Sequence, residues 1–138
     1  MQIVPGSHNW PILCAVKADT TQSFTDVTVP IPEGTAIEPM IMKAGDVLFF
    51  NGALVHGSFP NTSTDRFRRA LIGHYIEGDA MQVATFYHPV LRMDGKPVEI
   101  ATSPDGSACG VWVEKDGTPV IEVTAIQGAP GKLDYLRQ

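Results

Sequence analysis

Short apolar runs separated by turn-forming residues recur along the chain, and no long stretch repeats apolar positions at helical spacing. Residues 47–50 form a continuous apolar run, which is typical of a strand buried on both faces. Residues 57–66 are rich in Gly, Ser, Pro, Asn, Thr and Asp and therefore predict a loop. The apolar run at 69–76 then predicts a returning strand of the same sheet.

Further strands are predicted on both sides of this stretch, at residues 1–4, 24–29, 37–42 and 83–87. Two hairpins are predicted after them, at 91–100 and 111–122, with Asp-Gly as the two-residue turn of each. A proline follows two residues after each turn glycine, which favours an edge position because proline cannot donate to a ladder. Many short strands with regular turn signals predict an all-β sandwich or barrel.

The composition is that of a globular protein, and we expect the 138 residues to form a single domain. The formal net charge of −5 disfavours a nucleic-acid partner, and no apolar run is long enough to span a bilayer. The two cysteines, Cys14 and Cys109, match no zinc motif, so we expect free buried thiols. With no signal peptide in view, these features predict a soluble, cytoplasmic protein.

Five short motifs occur in a fixed order. They are PGSH at 5–8, GD at 45–46, HGS at 56–58, PN at 60–61 and FRRA at 67–70. In order and spacing this set resembles the phytanoyl-CoA dioxygenase family of iron(II)/2-oxoglutarate oxygenases, over residues 1–77. The resemblance implies a double-stranded β-helix, the cupin-like jelly-roll. We expect residues 1–77 to form part of its core and residues 78–138 to supply C-terminal hairpins and a tail.

The resemblance also implies roles for three residues. His56 corresponds to the distal iron ligand, and Arg68 to the arginine that binds the far carboxylate of 2-oxoglutarate with its planar fork. Ser58 would add a hydroxyl to the same carboxylate. A purely structural alternative stays open for each residue. His56 would be a strand-end histidine bonded to backbone, Arg68 would form a surface ion pair with Asp65, and Ser58 would be a turn serine. Arg66 and Arg69 compete for the role of Arg68, and no residue is assigned as catalytic.

One motif of the family is missing. The family takes its first two iron ligands from a His-x-Asp upstream of the PGSH loop, whereas no histidine here is followed two residues later by Asp or Glu. We therefore expect a jelly-roll that is N-terminally incomplete, an isolated chain that is inactive, and self-association through unpaired strands.

The other candidate residues have simpler interpretations. On an alternating strand His74 would share the face of Arg68, but a core histidine is the simpler reading. His8 is expected to brace its turn, His88 to be exposed, and Asp46 to cap a turn. Glu77 and Asp79 are expected to be solvated. The remaining pair, Trp10 and Trp112, is expected in the core or at an interface.

The activity implied by the resemblance is hydroxylation of a small organic substrate, using Fe(II) and O₂, with decarboxylation of 2-oxoglutarate to succinate. One alternative is a non-catalytic β-sandwich module in which Arg68 forms an anion site. A second is a cupin-type jelly-roll that uses another metal. Fold alone does not choose a substrate.

Overall fold

The computed structural model describes residues 1–21, 23, 25–103 and 108–124. Within these residues the regular elements are nine short strands and two 3-10 helices, at Ser7–Asn9 and Thr85–Tyr87. The predicted all-β class is confirmed. No helix in this part of the chain is long and apolar enough to cross a membrane. The strands are β1 (Gln2–Ile3), β2 (Val16–Lys17), β3 (Val27–Thr28), β4 (Glu38–Pro39), β5 (His56–Gly57), β6 (Gln82–Val83), β7 (Ala101–Thr102), β8 (Cys109–Lys115) and β9 (Thr118–Thr124).

The described residues divide into two compact units, one of residues 1–67 and 108–124 and the other of residues 68–103. The first unit contains a three-stranded antiparallel sheet with the order β4-β1-β5. In its register Ile3 lies opposite both Glu38 and His56. The pairing continues beyond the strands, because the Val4 amide donates to the Val55 carbonyl at 2.9 Å. This sheet positions His56.

The remaining strands form pairs. In the first unit β2 and β3 pair antiparallel, whereas in the second unit β6 and β7 pair parallel. The predicted strand at 83–87 is therefore correct only at its start, since Thr85–Tyr87 is a 3-10 helix. The predicted hairpin at 91–100 is present in a short form, with a bridge between Leu91 and Pro97. Asp94-Gly95 is not a two-residue turn, because the Arg92 amide donates to the Lys96 carbonyl at 2.8 Å and leaves the three residues 93–95 in the loop.

The predicted hairpin at 111–122 is confirmed and extended, as β8 and β9 pair over seven residues each. The register runs from Cys109 opposite Thr124 to Lys115 opposite Thr118. Asp116 and Gly117 form the turn with φ of 53° and 74°. Positive φ at both central residues is what a two-residue turn of type I′ requires, and Asp-Gly is one of the pairs that favour it.

The β8–β9 hairpin is attached to residues near the N-terminus of the chain by several contacts within the first unit. The Cys14 amide donates to the Gly110 carbonyl at 2.8 Å, and the Gly110 amide donates to the Ile12 carbonyl at 2.7 Å. The Trp10 and Trp112 rings meet edge to face with centroids 5.2 Å apart, and the Trp112 Nε1 donates to the Pro30 carbonyl at 3.0 Å. Pro30 and Trp112 also line an open cleft of about 380 Å³.

A disulfide joins Cys14 to Cys109 across this attachment, with Cα atoms 4.9 Å apart. The expectation of free thiols was wrong. Its physical reason is that the parallel bridge between Leu13 and Gly110 brings together two chain segments that are 95 residues apart in sequence. Cysteine pairing depends on that Cα distance, which composition and spacing do not reveal. Both cysteines are buried, together with Val4, Leu13 and Ala18 of the same unit.

The two strands predicted at 47–50 and 69–76 are not formed. Their large apolar side chains are exposed: Val47 by 73%, Phe49 by 84% and Ile72 by 75%. The described residues give neither segment a ladder partner. Because a strand is stabilised by its neighbours and by burial of its faces, an apolar run without them does not become one.

Reduction of the disulfide should destabilise the first unit. Loss of a crosslink over 95 residues frees the unfolded chain, so we expect Cys14→Ser with Cys109→Ser to lower the free energy of unfolding by about 2–4 kcal/mol. Urea denaturation with and without dithiothreitol measures this. The double variant is the control, because its unfolding should not respond to the reductant. Rapid alkylation of the native, unreduced protein by iodoacetamide would contradict the pairing.

The hairpin turn should be sensitive to a side chain at Gly117. An alanine there is held in the left-handed region at φ of 74°, so Gly117→Ala should cost about 1–2 kcal/mol. Gly52→Ala is the matched control, since a Cβ at Gly52 meets nothing within 4 Å and its φ is not positive. Equal urea midpoints for the two variants would rule out this turn geometry.

Candidate functional site

The PGSH motif forms a tight turn directly after β1. Gly6 has φ of 81°, a left-handed conformation that glycine adopts without strain, and the 3-10 helix Ser7–Asn9 follows it. The turn folds Ser7 back under β1, where its side chain has 0% exposure. Ser7 is the most buried polar residue in the part of the chain that the structure describes.

The Ser7 hydroxyl connects this turn to the strand that carries His56. Its Oγ donates to the Val4 carbonyl at 2.7 Å and accepts from the Val55 amide at 2.8 Å. A serine hydroxyl has one proton to donate, and here that proton is used locally while a lone pair receives the distant amide. Residues separated by 48 positions are thereby joined through one buried atom.

His56 lies at the start of β5 with an exposed side chain. Its Nδ1 is 2.8 Å from the Leu54 carbonyl oxygen. Because a carbonyl oxygen only accepts, Nδ1 carries the proton, and the lone pair of a neutral ring then lies on Nε2. The Phe50 ring packs against the imidazole in a T-shaped arrangement, with centroids 4.7 Å apart. The arrangement presents Nε2 as a potential metal ligand.

Asn51 closes the turn that precedes His56. Its Nδ2 donates to the His8 carbonyl at 3.2 Å, while its Oδ1 accepts from the Leu54 amide at 3.2 Å. The sequence analysis missed this bridge and the role of Ser7. An Asn-Gly pair between two apolar runs was the available signal, since asparagine side chains commonly bond backbone groups a few residues away.

The loop after His56 is held by Asn61. Its Nδ2 donates to the Arg66 carbonyl at 2.7 Å, and its Oδ1 accepts from the Ser63 amide and hydroxyl. Ser58 lies in this loop and is exposed. Asp65 lies 3.9 Å from Arg66, an exposed ion pair of the kind that contributes little to stability.

Arg68 is exposed and begins the second unit, whereas His56 and Ser58 belong to the first. The predicted register, in which Arg68 and His74 share one face of a strand, is wrong for this structure because residues 69–76 form no strand. The expectation of a core histidine is also wrong, because the His74 side chain is exposed, and its ring meets the ring of Tyr87 edge to face at 6.0 Å. The assignment of Arg68 to a carboxylate stays a prediction.

Several simpler expectations are confirmed. Asp46 caps its turn, with Oδ2 accepting from the Lys43 amide at 2.7 Å. His88 is exposed and lies 3.2 Å from the Thr102 hydroxyl. His8 braces its turn through the carbonyl that receives Asn51. Glu77 and Asp79 are exposed. Trp10 and Trp112 pack on each other but are only half-buried, so the core position expected for them is not confirmed.

A complete metal site does not assemble from the described residues. Among residues 1–21, 23, 25–103 and 108–124, no three His, Cys, Asp or Glu side chains come together in a group that could hold a metal ion. His56 fits one ligand position through Nε2. The described side chains therefore fit a single imidazole ligand and do not fit the two-histidine, one-carboxylate set that holds non-haem iron.

Comparison with known proteins places the similarity in the segment that contains these residues. The family model of phytanoyl-CoA dioxygenase (PhyH) matches residues 1–70. The chain is 40% identical over 70 residues to the dioxygenase aneA of Aspergillus aculeatus. The aligned segment covers 51% of this chain and 19% of that protein. It is 31% identical over 85 residues to the multifunctional dioxygenase ausE of Penicillium brasilianum, covering 62% of this chain and 26% of that protein.

A third relative, the dioxygenase lolE1 of Epichloe uncinata, is 33% identical over 75 residues, covering 54% of this chain and 26% of that protein. The chain thus spans about a fifth to a quarter of the length of these relatives. No solved structure matches it. Because the family model covers just over half of the 138 residues and contains the PGSH turn, His56 and Arg68, the chain belongs to the phytanoyl-CoA dioxygenase family.

Proposed function

We propose that this chain is part of an iron(II)/2-oxoglutarate-dependent dioxygenase and supplies the distal histidine ligand and the cosubstrate arginine of its site. The observation that carries the proposal is the hydrogen bond made by the imidazole of His56. Its Nδ1 donates to the Leu54 carbonyl, which leaves Nε2 for a metal. A backbone carbonyl on the second ring nitrogen is the usual support of a metal-bound histidine, since it orients the ring and raises its basicity.

Arg68 and Ser58 are the proposed contacts for the cosubstrate. Arg68 follows His56 by a loop of turn-forming residues within the family segment. A guanidinium binds a carboxylate through two parallel charge-assisted hydrogen bonds, and Arg69 and Arg66 remain its competitors. Ser58, two residues after His56, would donate its hydroxyl to the same carboxylate.

The proposed reaction uses one O₂, one 2-oxoglutarate and one small organic substrate. One oxygen atom enters the succinate that forms as 2-oxoglutarate loses CO₂, and the other becomes the hydroxyl of the product. Iron bound with its full ligand set would activate the O₂ for this oxidation. The described residues would provide one of its ligands, through His56. The substrate class is proposed as small organic molecules, as the family resemblance implies.

The other ligands and the rest of the jelly-roll are proposed to come from polypeptide outside this sequence. Large apolar side chains of the predicted core strands are exposed, among them Val47, Phe49 and Ile72. Exposed apolar groups of this size mark surfaces that another polypeptide covers. A second copy of the chain would cover them by self-association when the complementing segment is absent.

A cytoplasmic location remains a prediction from the sequence. The Cys14–Cys109 disulfide argues the other way, because reducing compartments rarely keep structural disulfides. The thiol state of protein recovered from cells under acid quench is the relevant measurement.

Arg68→Lys should weaken 2-oxoglutarate binding by roughly tenfold or more in a protein that carries the complete site, because a point charge replaces a bidentate fork. Arg69→Lys is the matched control, with an expected change under about twofold. Isothermal titration of 2-oxoglutarate measures both. An equal loss of 2-oxoglutarate affinity in the two variants would show that Arg68 is not the residue that binds the carboxylate.

The 138-residue chain alone should bind iron weakly and form no succinate, because one imidazole cannot replace a three-ligand set. The comparison is a longer version that carries the family's His-x-Asp segment. Anaerobic Fe(II) titration and succinate analysis measure both proteins. Tight stoichiometric iron with succinate production by the short chain would mean that other residues complete the site.

A further inference from the structure

The peptide unit between Leu54 and Val55 is bonded at both of its polar ends. Its carbonyl oxygen, from Leu54, accepts from the His56 Nδ1 at 2.8 Å. Its amide, from Val55, donates to the Ser7 Oγ at 2.8 Å. Because a peptide unit is planar, the position of the amide hydrogen fixes the direction of the carbonyl oxygen. The Ser7 hydroxyl therefore controls the group that holds the imidazole.

We propose that Ser7 is a positioning residue that sets the proton tautomer and the orientation of His56 through the Leu54–Val55 peptide. The hydrogen bonds form one directed series. His56 Nδ1 donates to the Leu54 carbonyl, the Val55 amide donates to Ser7 Oγ, and Ser7 donates to the Val4 carbonyl. Hydrogen bonds in such a series polarise one another, which strengthens each of them.

Burial makes this control specific to Ser7. The side chain has 0% exposure, so water does not readily replace its hydroxyl. With alanine at position 7 the Val55 amide loses its acceptor, and the peptide is free to rotate toward another partner. The neighbouring constraints remain, since the Val4 amide still holds the Val55 carbonyl and Asn51 still holds the Leu54 amide. The effect of losing the Ser7 hydroxyl is thus confined to the orientation of the Leu54–Val55 peptide, which faces the imidazole.

The functional consequence rests on the proposed function. A ring with the proton on Nδ1 presents Nε2 to a metal, whereas the other tautomer offers only a nitrogen that faces the backbone. In the other tautomer the proton must first leave Nε2 before that nitrogen can bind a metal. Ser7 would therefore raise metal affinity at His56 without touching the metal, and the PGSH turn would act on the site from 49 residues upstream in sequence.

The test is NMR of the ¹⁵N-labelled 138-residue chain, which reports the protonated nitrogen of each histidine in its neutral form. In the wild-type chain the His56 ring should be predominantly protonated on Nδ1. The backbone amide hydrogen of Val55 should exchange slowly with solvent. Ser7→Ala should give a mixture of tautomers and at least about tenfold faster Val55 exchange. A wild-type ring protonated on Nε2 overturns the proposal, and this measurement does not depend on whether any variant folds.

Two control variants separate positioning from general stability. Ser63→Ala removes another hydroxyl, bonded to Asn61 and to the Arg66 carbonyl, and should leave His56 unchanged. Leu13→Ala removes buried apolar volume from the same unit as Ser7 and should lower stability without changing the tautomer. A tautomer shift in Leu13→Ala as large as that in Ser7→Ala would show that Ser7 acts only through stability and would overturn the proposal.

Cobalt(II) alone serves as the probe of the metal step, because its paramagnetism broadens the resonances of the ring it contacts. In the wild type, His56 should broaden at lower cobalt concentration than His74 and His88, and Ser7→Ala should reduce that preference by several-fold. If the tautomer responds to Ser7 but cobalt does not prefer His56, the ring-positioning inference stands and the proposed iron ligand is wrong.

Discussion

A single buried hydroxyl holds together the two sequence motifs that define this segment of the family. Ser7 comes from the PGSH turn, and the amide that it receives belongs to the residue immediately before His56. The strands involved are only two residues long, so their own ladders provide few hydrogen bonds. A part-buried amide left without an acceptor costs more than a typical hydrogen bond gains, so the Ser7 contact supports the pairing of β1 with β5 beside the Val4–Val55 bond.

The C-terminal hairpin extends this dependence beyond the family match. Residues 109–124 lie outside the matched segment 1–70, yet they share a compact unit with β1 and β5. The disulfide, the paired tryptophans and the Trp112 bond to Pro30 all join the hairpin to residues 10–30. A loop closed over 95 residues greatly reduces the freedom of the unfolded chain. The hairpin is therefore a structural part of the segment whose chemistry the family describes.

Local features were predictable from the sequence, and features that depend on distant partners were not. The Asp116–Gly117 hairpin and the Asp46 turn are set by residues within a few positions, so their signals are sufficient. The disulfide and the Ser7 bond join residues 95 and 48 positions apart, and nothing in the local pattern identifies such partners. His56 and Arg68 were selected by family motif and stay predictions, and the structure adds for His56 the contact of its Nδ1 with the Leu54 carbonyl.

The wrong strand predictions at 47–50 and 69–76 have a physical meaning of their own. A continuous apolar run is typical of a strand covered on both faces, because only such a strand has no polar face to keep. The described structure leaves Val47, Phe49 and Ile72 exposed. The sequence pattern therefore predicts burial of these side chains, and the described residues do not bury them. The proposed ligand role of His56 leads to the same point, because the described residues do not provide a group of ligands that could complete a metal site with it. Packing and ligand geometry thus support, independently of each other, the proposal that further polypeptide completes both the core and the site.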